Sequence, residues 1–176
     1  MSLARDAITD GQFNRICSML SEPKRRIFIL GGRISDTIAA HLSFHLRQAR
    51  GGVYHLPLNA ETWPEYLLRM KHGDIFFVMD FRRYQPALME LAQKASSVRG
   101  ARVIVMTDKW ISPAARHATD ILPVPIESGT LWDTYSPALA VIEAIVTKIA
   151  EDNWDQTRDR IESWDRLRFN DKDRIY

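Results

Sequence analysis

The sequence predicts a three-layer α/β/α sandwich around a five-stranded parallel sheet, doubly wound in the flavodoxin-like manner. Three observations carry this. Short, continuous apolar runs alternate with stretches of helical period along the chain, as in a parallel sheet covered on both faces. The stretches between runs are long enough for the crossover helices that parallel strands require, and right-handed crossovers then restrict the topology. Finally, 176 residues with 45% apolar and 26% charged content describe one globular domain able to bury a core.

The elements follow in order. Residues 10–21 read as a helix with Phe13, Ile16, Cys17 and Leu20 on one face, Asp10 as its cap and Pro23 beyond its end. Strand one is 27–30. A helix over 35–50 turns Ile38, Ala39, Leu42 and Leu46 inward and stops at Gly51-Gly52. Strand two, 53–56, ends at Pro57, and a helix over 62–71 ends before Gly73. Strand three is 75–79; the helix after it carries Leu88, Leu91, Ala92 and Ala95 and precedes Gly100. Strand four, 102–106, leads through Thr107-Asp108 to a short helix capped by Ser112 with Pro113 at its first position. Strand five is 121–124, a long helix fills 132–152, and a last one covers 155–168. The chain thus divides into an N-terminal helix (1–24), the α/β domain (25–152) and a C-terminal helix with tail (153–176).

Composition narrows the function. The net charge is only +2, and no block gathers enough basic residues for a nucleic-acid surface; Lys24-Arg25-Arg26 reads as the solvated entry to strand one. One cysteine, Cys17, cannot form an internal disulfide and fits a reducing cytoplasm. No apolar stretch reaches the ~20 residues that span a bilayer and no signal peptide is visible, so no membrane partner is expected. Met1-Ser2-Leu3 reads as a cloning leader on an excised domain.

Ligands of open α/β sheets bind outside the carboxyl ends of the strands. There the sequence places Gly31-Gly32-Arg33-Ile34-Ser35 after strand one and Asp80-Phe81-Arg82-Arg83-Tyr84-Gln85 after strand three. Gly31 and Gly32 suit a tight turn, and such a turn opening a helix presents N–H groups to an anion. Ser35 suits a helix cap, a ligand contact, or both. Arg33, Arg82 and Arg83 near one sheet edge repel one another unless an anion or carboxylate intervenes. Two readings stay open: an anion-binding cluster, or an Asp80–arginine ion pair that seals the site. His41 and His45, four apart on a helix, lack a third ligand of suitable spacing, so no metal or cofactor is expected. Trp154, Ile161, Trp164 and Leu167 form an apolar stripe on the last helix, and Trp154 and Trp164 are expected to be at least partly buried against the body or a partner.

These loops resemble those of the SIS (sugar isomerase) domain over residues 25–150. Gly31 to Ser35, with Ala39 four residues on, resembles its Gly-x-Gly-x-Ser loop, the second glycine having become Arg33. Asp80 to Gln85 aligns with its Ser-x-Ser-Gly-x-Thr loop, with every hydroxyl of that pattern gone. Thr107-Asp108, Ser112-Pro113-Ala114 and Ala118-Thr119-Asp120 resemble its fourth loop and the approach to strand five. The paired motifs are similar to a branch of the RpiR-type bacterial transcriptional regulators, which join a helix-turn-helix domain to a phosphosugar-sensing SIS domain. The resemblance implies an effector-binding domain for a sugar phosphate or another small anion, held by Gly31, Gly32, Arg33, Ser35, Asp80, Arg82, Arg83, Thr107 and Glu127. It implies a homodimer, and DNA contact only through a helix-turn-helix domain separate from this chain, residues 4–22 being its linker helix. Two alternatives remain. In a phosphosugar aldose–ketose isomerase, Glu127 would be the proton-moving base; a dimerisation module would have lost its ligand site.

Overall fold

The computed structural model describes residues 8–168. Five parallel strands run β1 (Ile27–Gly31), β2 (Val53–His55), β3 (Ile75–Met79), β4 (Arg102–Thr107) and β5 (Asp120–Pro123), in the order β2-β1-β3-β4-β5. The helices are α1 (Asp10–Ser21), α2 (Asp36–Ala49), α3 (Trp63–Arg69), α4 (Pro86–Gln93), α5 (Ser136–Asp152) and α6 (Trp154–Leu167). Short 3-10 turns at Ala60–Thr62 and Pro113–His117 and a π-turn at Lys94–Val98 complete the list.

Strand alternation builds two cores. Ile27, Ile29, Ile75, Phe77, Ile104 and Met106 face one way and pack under α1, α2 and α5. Phe28, Leu30, Phe76, Val78, Val103 and Val105 face the other way, under α3 and α4. Both faces of β1 and β3 are buried, so those strands read as unbroken apolar runs. α1 belongs to this body: Ile16, Cys17, Met19 and Leu20 are buried in the first core. Burial pushes the Cys17 thiol up to about 11, which keeps it protonated and unreactive.

The fold class is as the sequence predicts, with local corrections. Thr9, not Asp10, caps α1 by accepting from Gln12 N–H at 3.2 Å. β5 starts one residue early because Asp120 is buried in an ion pair with Arg15 of α1. α5 begins at Ser136 rather than 132, with Pro137 in its first turn. The body covers the stripe on α6 only in part: Trp154 is 55% and Trp164 51% exposed, and Thr157 is the buried residue of that helix. α6 is instead held by its polar side, where Arg160 Nε donates to Arg47 O at 2.6 Å. Met1-Ser2-Leu3 and the end of the C-terminal tail lie outside the described residues.

Candidate functional site

The sheet order changes direction between β1 and β3, and Gly31 pairs with Met79 there. The loops leaving these two strands therefore lie side by side, at the position where open α/β sheets bind ligands. A cavity of about 250 Å³ opens between them. Gly32, Arg33, Ile34 and Ser35 line it from one loop, Asp80, Phe81, Arg82, Arg83 and Gln85 from the other, and Tyr135 closes a side. Phe81 meets Tyr135 edge to face with centroids 5.2 Å apart, fixing that wall.

The first loop is built on its own backbone. Gly31 N–H donates to the Asp36 carboxylate at 3.0 Å, and the same oxygen lies 2.9 Å from His55 Nε2. Gly32 N–H donates to Met79 O at 3.0 Å and to Ser35 Oγ at 2.8 Å. The Ser35 hydroxyl in turn donates to Met79 O at 2.8 Å. Ser35 sits at the cap position of α2 but makes no capping bond; it clips one loop to the other strand. The Gly31 and Gly32 amides are thus already bonded. The amides of Arg33, Ile34 and Ser35 have no acceptor among the described residues. Three consecutive N–H groups at a helix start are thus left available to an acceptor, such as an anion.

The second loop departs from the Asp80–arginine pair that one reading of the sequence expected. Asp80 does not pair with an arginine. It is 2% exposed, accepts from Ser112 Oγ and, at 3.4 Å, from Gln85 N–H. Burial raises its pKa above the ordinary carboxylate value, the Ser112 and Gln85 bonds oppose this, and nearby Asp108 adds to it. Arg82 pairs instead with Asp133, its Nε donating to Oδ2 at 2.8 Å and its Nη2 meeting Oδ1. Its guanidinium lies 5.3 Å from the Trp110 ring, which Lys109 also covers at 4.6 Å. Asp108 is the hub of this loop. It accepts from Arg82 N–H at 2.6 Å, Tyr84 OH at 2.6 Å and Trp110 N–H at 3.0 Å. Burial and that bond to Asp108 push the Tyr84 hydroxyl well above its ordinary range.

Arg33 and Arg83 have no ion-pair partner among the described residues. Arg83 holds a left-handed backbone, φ 65°, a costly conformation for a non-glycine residue and one that concentrates at functional loops. The structure thus brings Gly32, Arg33, Ser35, Asp80, Arg82 and Arg83 to one cavity. Three expected residues lie apart from its lining. Gly31 is the buried end of β1. Thr107 is buried beneath the site, its hydroxyl accepting from Ser112 N–H at 3.0 Å. Glu127 pairs with Lys109 at 2.5 Å, and that bond holds its carboxyl below the usual range. His41 and His45 meet edge to face at 4.5 Å, and no metal-binding group exists among the described residues.

Asp108 and Gln85 belong to loops that the sequence singles out but are not among its expected site residues, and Asp133 and Tyr135 fall within the helix it predicts from 132; the Ser136-Pro137 pair is the signal that this helix starts later.

An acid whose folded-state pKa lies above its unfolded value, as for Asp80, binds its proton more tightly when folded. Its stabilising contribution is complete below the unfolded value and is lost as pH rises through the folded-state pKa. Urea denaturation from about pH 4 to about pH 8 is expected to show that decline in the wild type and a flatter profile in Asp80→Asn. Identical profiles would count against a protonation penalty at Asp80.

The SIS domain family profile matches residues 19–148. No curated protein sequence matches the chain. Among solved structures, the chain is similar to the sugar isomerase domain of an RpiR transcription factor from Sphaerobacter thermophilus, with TM-score 0.83, 17% identity, and 93% of this chain and 90% of that one covered. It is similar to the Vibrio vulnificus NanR protein complexed with ManNAc-6P, with TM-score 0.78, 16% identity and 93% of this chain covered. The match spans 62% of the NanR chain, less than two thirds of its length. A protein of Listeria monocytogenes described as a candidate sugar-phosphate isomerase matches with TM-score 0.74 and 14% identity, covering 93% and 91% of the two chains. At these identities the likeness is one of fold.

Proposed function

The chain belongs to the SIS domain family, and from that premise we propose that it is the effector-binding domain of an RpiR-type transcriptional regulator. It holds a phosphorylated sugar or another small anion at the ends of β1 and β3. The observation that carries this is the pair of arginines without carboxylate partners, Arg33 and Arg83, facing one cavity beside three free loop amides. Uncompensated arginines brought to one small cleft by two loops favour an anion there, and each can grip phosphate or carboxylate bidentately. Arg82 adds a third fork, shared with Asp133. Ile34 and the Phe81–Tyr135 pair supply an apolar wall for the body of the ligand. A phosphosugar is the ligand class that NanR, similar in fold, is complexed with.

The geometry favours binding over turnover. A general base must lie within reach of the proton it removes and be ready to accept it. Glu127 stands off the cavity lining, engaged by Lys109 and with its basicity lowered. Asp80 lines the cavity, but it is 2% exposed and its carboxyl group is engaged by Ser112 Oγ and Gln85 N–H. DNA contact would fall to a helix-turn-helix domain, and the partly exposed α6 stripe supports a homodimer through that face. The buried, single Cys17 supports a reducing, cytoplasmic setting, and no described helix is long and apolar enough to cross a membrane.

Calorimetric titration with a panel of sugar phosphates and small acids, with proton NMR on the same samples, tests the reading. Binding of at least one phosphorylated sugar without aldose–ketose conversion is expected. Steady conversion that Glu127→Gln abolishes would assign the isomerase instead.

A further inference from the structure

The loop between β5 and α5 returns toward the sheet edge as a flap over residues 127–133. An isolated antiparallel bridge joins Glu127 to Asp133, and Thr134 N–H donates to Ile126 O at 2.8 Å. Two ion pairs hold the flap down, Lys109 with Glu127 and Arg82 with Asp133. At its tip Leu131 is 99% and Trp132 79% exposed. The flap is thus fastened to the site by lending a carboxylate to one of the arginines that line the cavity.

A carboxylate on a guanidinium fork is the same chemistry as an anionic ligand on that fork. We infer that Asp133 stands in for the ligand on Arg82, and that an anion seated between Arg33 and Arg83 takes Arg82 from Asp133 and loosens the flap. This rests on the anion-site reading above and adds its regulation. Arg33 and Arg83 supply the uncompensated charge that draws the anion in. The Arg82 side chain is 42% exposed and Asp133 23%, so solvent screens the pair on the arginine side and an incoming anion can reach that guanidinium. A phosphate dianion brings two charges and several acceptor oxygens against one carboxylate. Its arrival also places a like charge beside Asp133, which drives the carboxylate away. What the exchange moves is the segment bearing Leu131 and Trp132. Occupancy of the site then changes the placement of an exposed apolar tip, which gives an effector domain an output.

The test uses the full 176-residue chain with inorganic phosphate as the probe, by calorimetry and amide hydrogen exchange. In the wild type, phosphate is expected to speed exchange over residues 127–134. Asp133→Asn is expected to bind phosphate roughly two- to fivefold more tightly, because the competing charge is gone. Its flap should exchange fast already and respond no further. Phosphate that slows flap exchange, or an Asp133→Asn variant that binds equally or more weakly, would overturn the inference while leaving the anion site in place. Asp133 would then orient Arg82 rather than compete for it. If neither protein binds phosphate or any sugar phosphate, the anion site falls and the inference with it. Should the variant not fold, the wild-type exchange measurement decides alone.

Discussion

Replacing Arg33 and Arg83 together by alanine is expected to abolish measurable binding of the anion at millimolar ligand. Both arginines line the cavity and neither is engaged by a carboxylate among the described residues, so a bound anion would take their hydrogen bonds undivided. Each charged hydrogen bond lost costs about 1.5–3 kcal/mol. Every ~1.4 kcal/mol is tenfold in affinity, so each arginine is worth at least that factor. Folding should be little affected, because both side chains are exposed and free of internal pairs. The single variants should each fall between wild type and the double variant. Arg82→Ala is a less clean test, since it also releases Asp133 and uncovers Trp110. Calorimetry with inorganic phosphate and a sugar phosphate reads the effect. Unchanged affinity in the double variant would remove the arginine site.

The second large effect is expected at Gly31, and a milder one at its neighbour. A Cβ at Gly31 would collide with Asp36 N and sit 2.5 Å from Asp36 Cα and Ser35 C. Those are backbone atoms of the loop and of the first turn of α2, so they cannot turn aside as a side chain would. Gly31→Ala must therefore push the helix start away from β1 and break the Gly31 N–H bond to Asp36. Overpacking of this kind costs about 1–3 kcal/mol, and here it also spreads the free amides of Arg33, Ile34 and Ser35. At Gly32 the added atom meets the Gln85 side chain at 3.3 Å and Ser35 Oγ at 3.4 Å, both able to give. Thermal denaturation and phosphate titration of the two variants should show Gly31→Ala losing both stability and affinity, and Gly32→Ala losing much less of each. Equal loss in the two would mean that the loop does not depend on that close approach.

The contrast shows how far the sequence could be read. A glycine pair after a strand announces a tight turn, yet only the packed structure says which glycine the approach of α2 requires. The sheet was legible because β1 and β3 are buried on both faces, which forces unbroken apolar runs in the chain. The positions of Arg33, Arg82 and Arg83 followed from those strands and from the rule that ligands sit at their carboxyl ends. Which carboxylate each arginine meets was not legible. Asp80 is two residues from Arg82, but its buried oxygens turn to Ser112 and Gln85, while Asp133 arrives from 51 residues away. Such a pairing is set by how the β5–α5 loop returns across the sheet edge, and no sequence period encodes it. How the tryptophans of α6 are placed was not legible for a related reason. Their spacing gives a helical face, but the body takes hold of that helix through Thr157 and Arg160 and leaves Trp154 and Trp164 about half exposed.

The central claim is that an anion sits between Arg33 and Arg83 at the ends of β1 and β3. Tungstate mimics phosphate and can be located by its anomalous scattering, so crystals of the full chain soaked in it test the claim directly. A peak is expected inside the cavity, within hydrogen-bond distance of both guanidiniums and of the Arg33, Ile34 and Ser35 amides. Peaks confined to other surfaces, with that cavity empty at saturating tungstate, would contradict it.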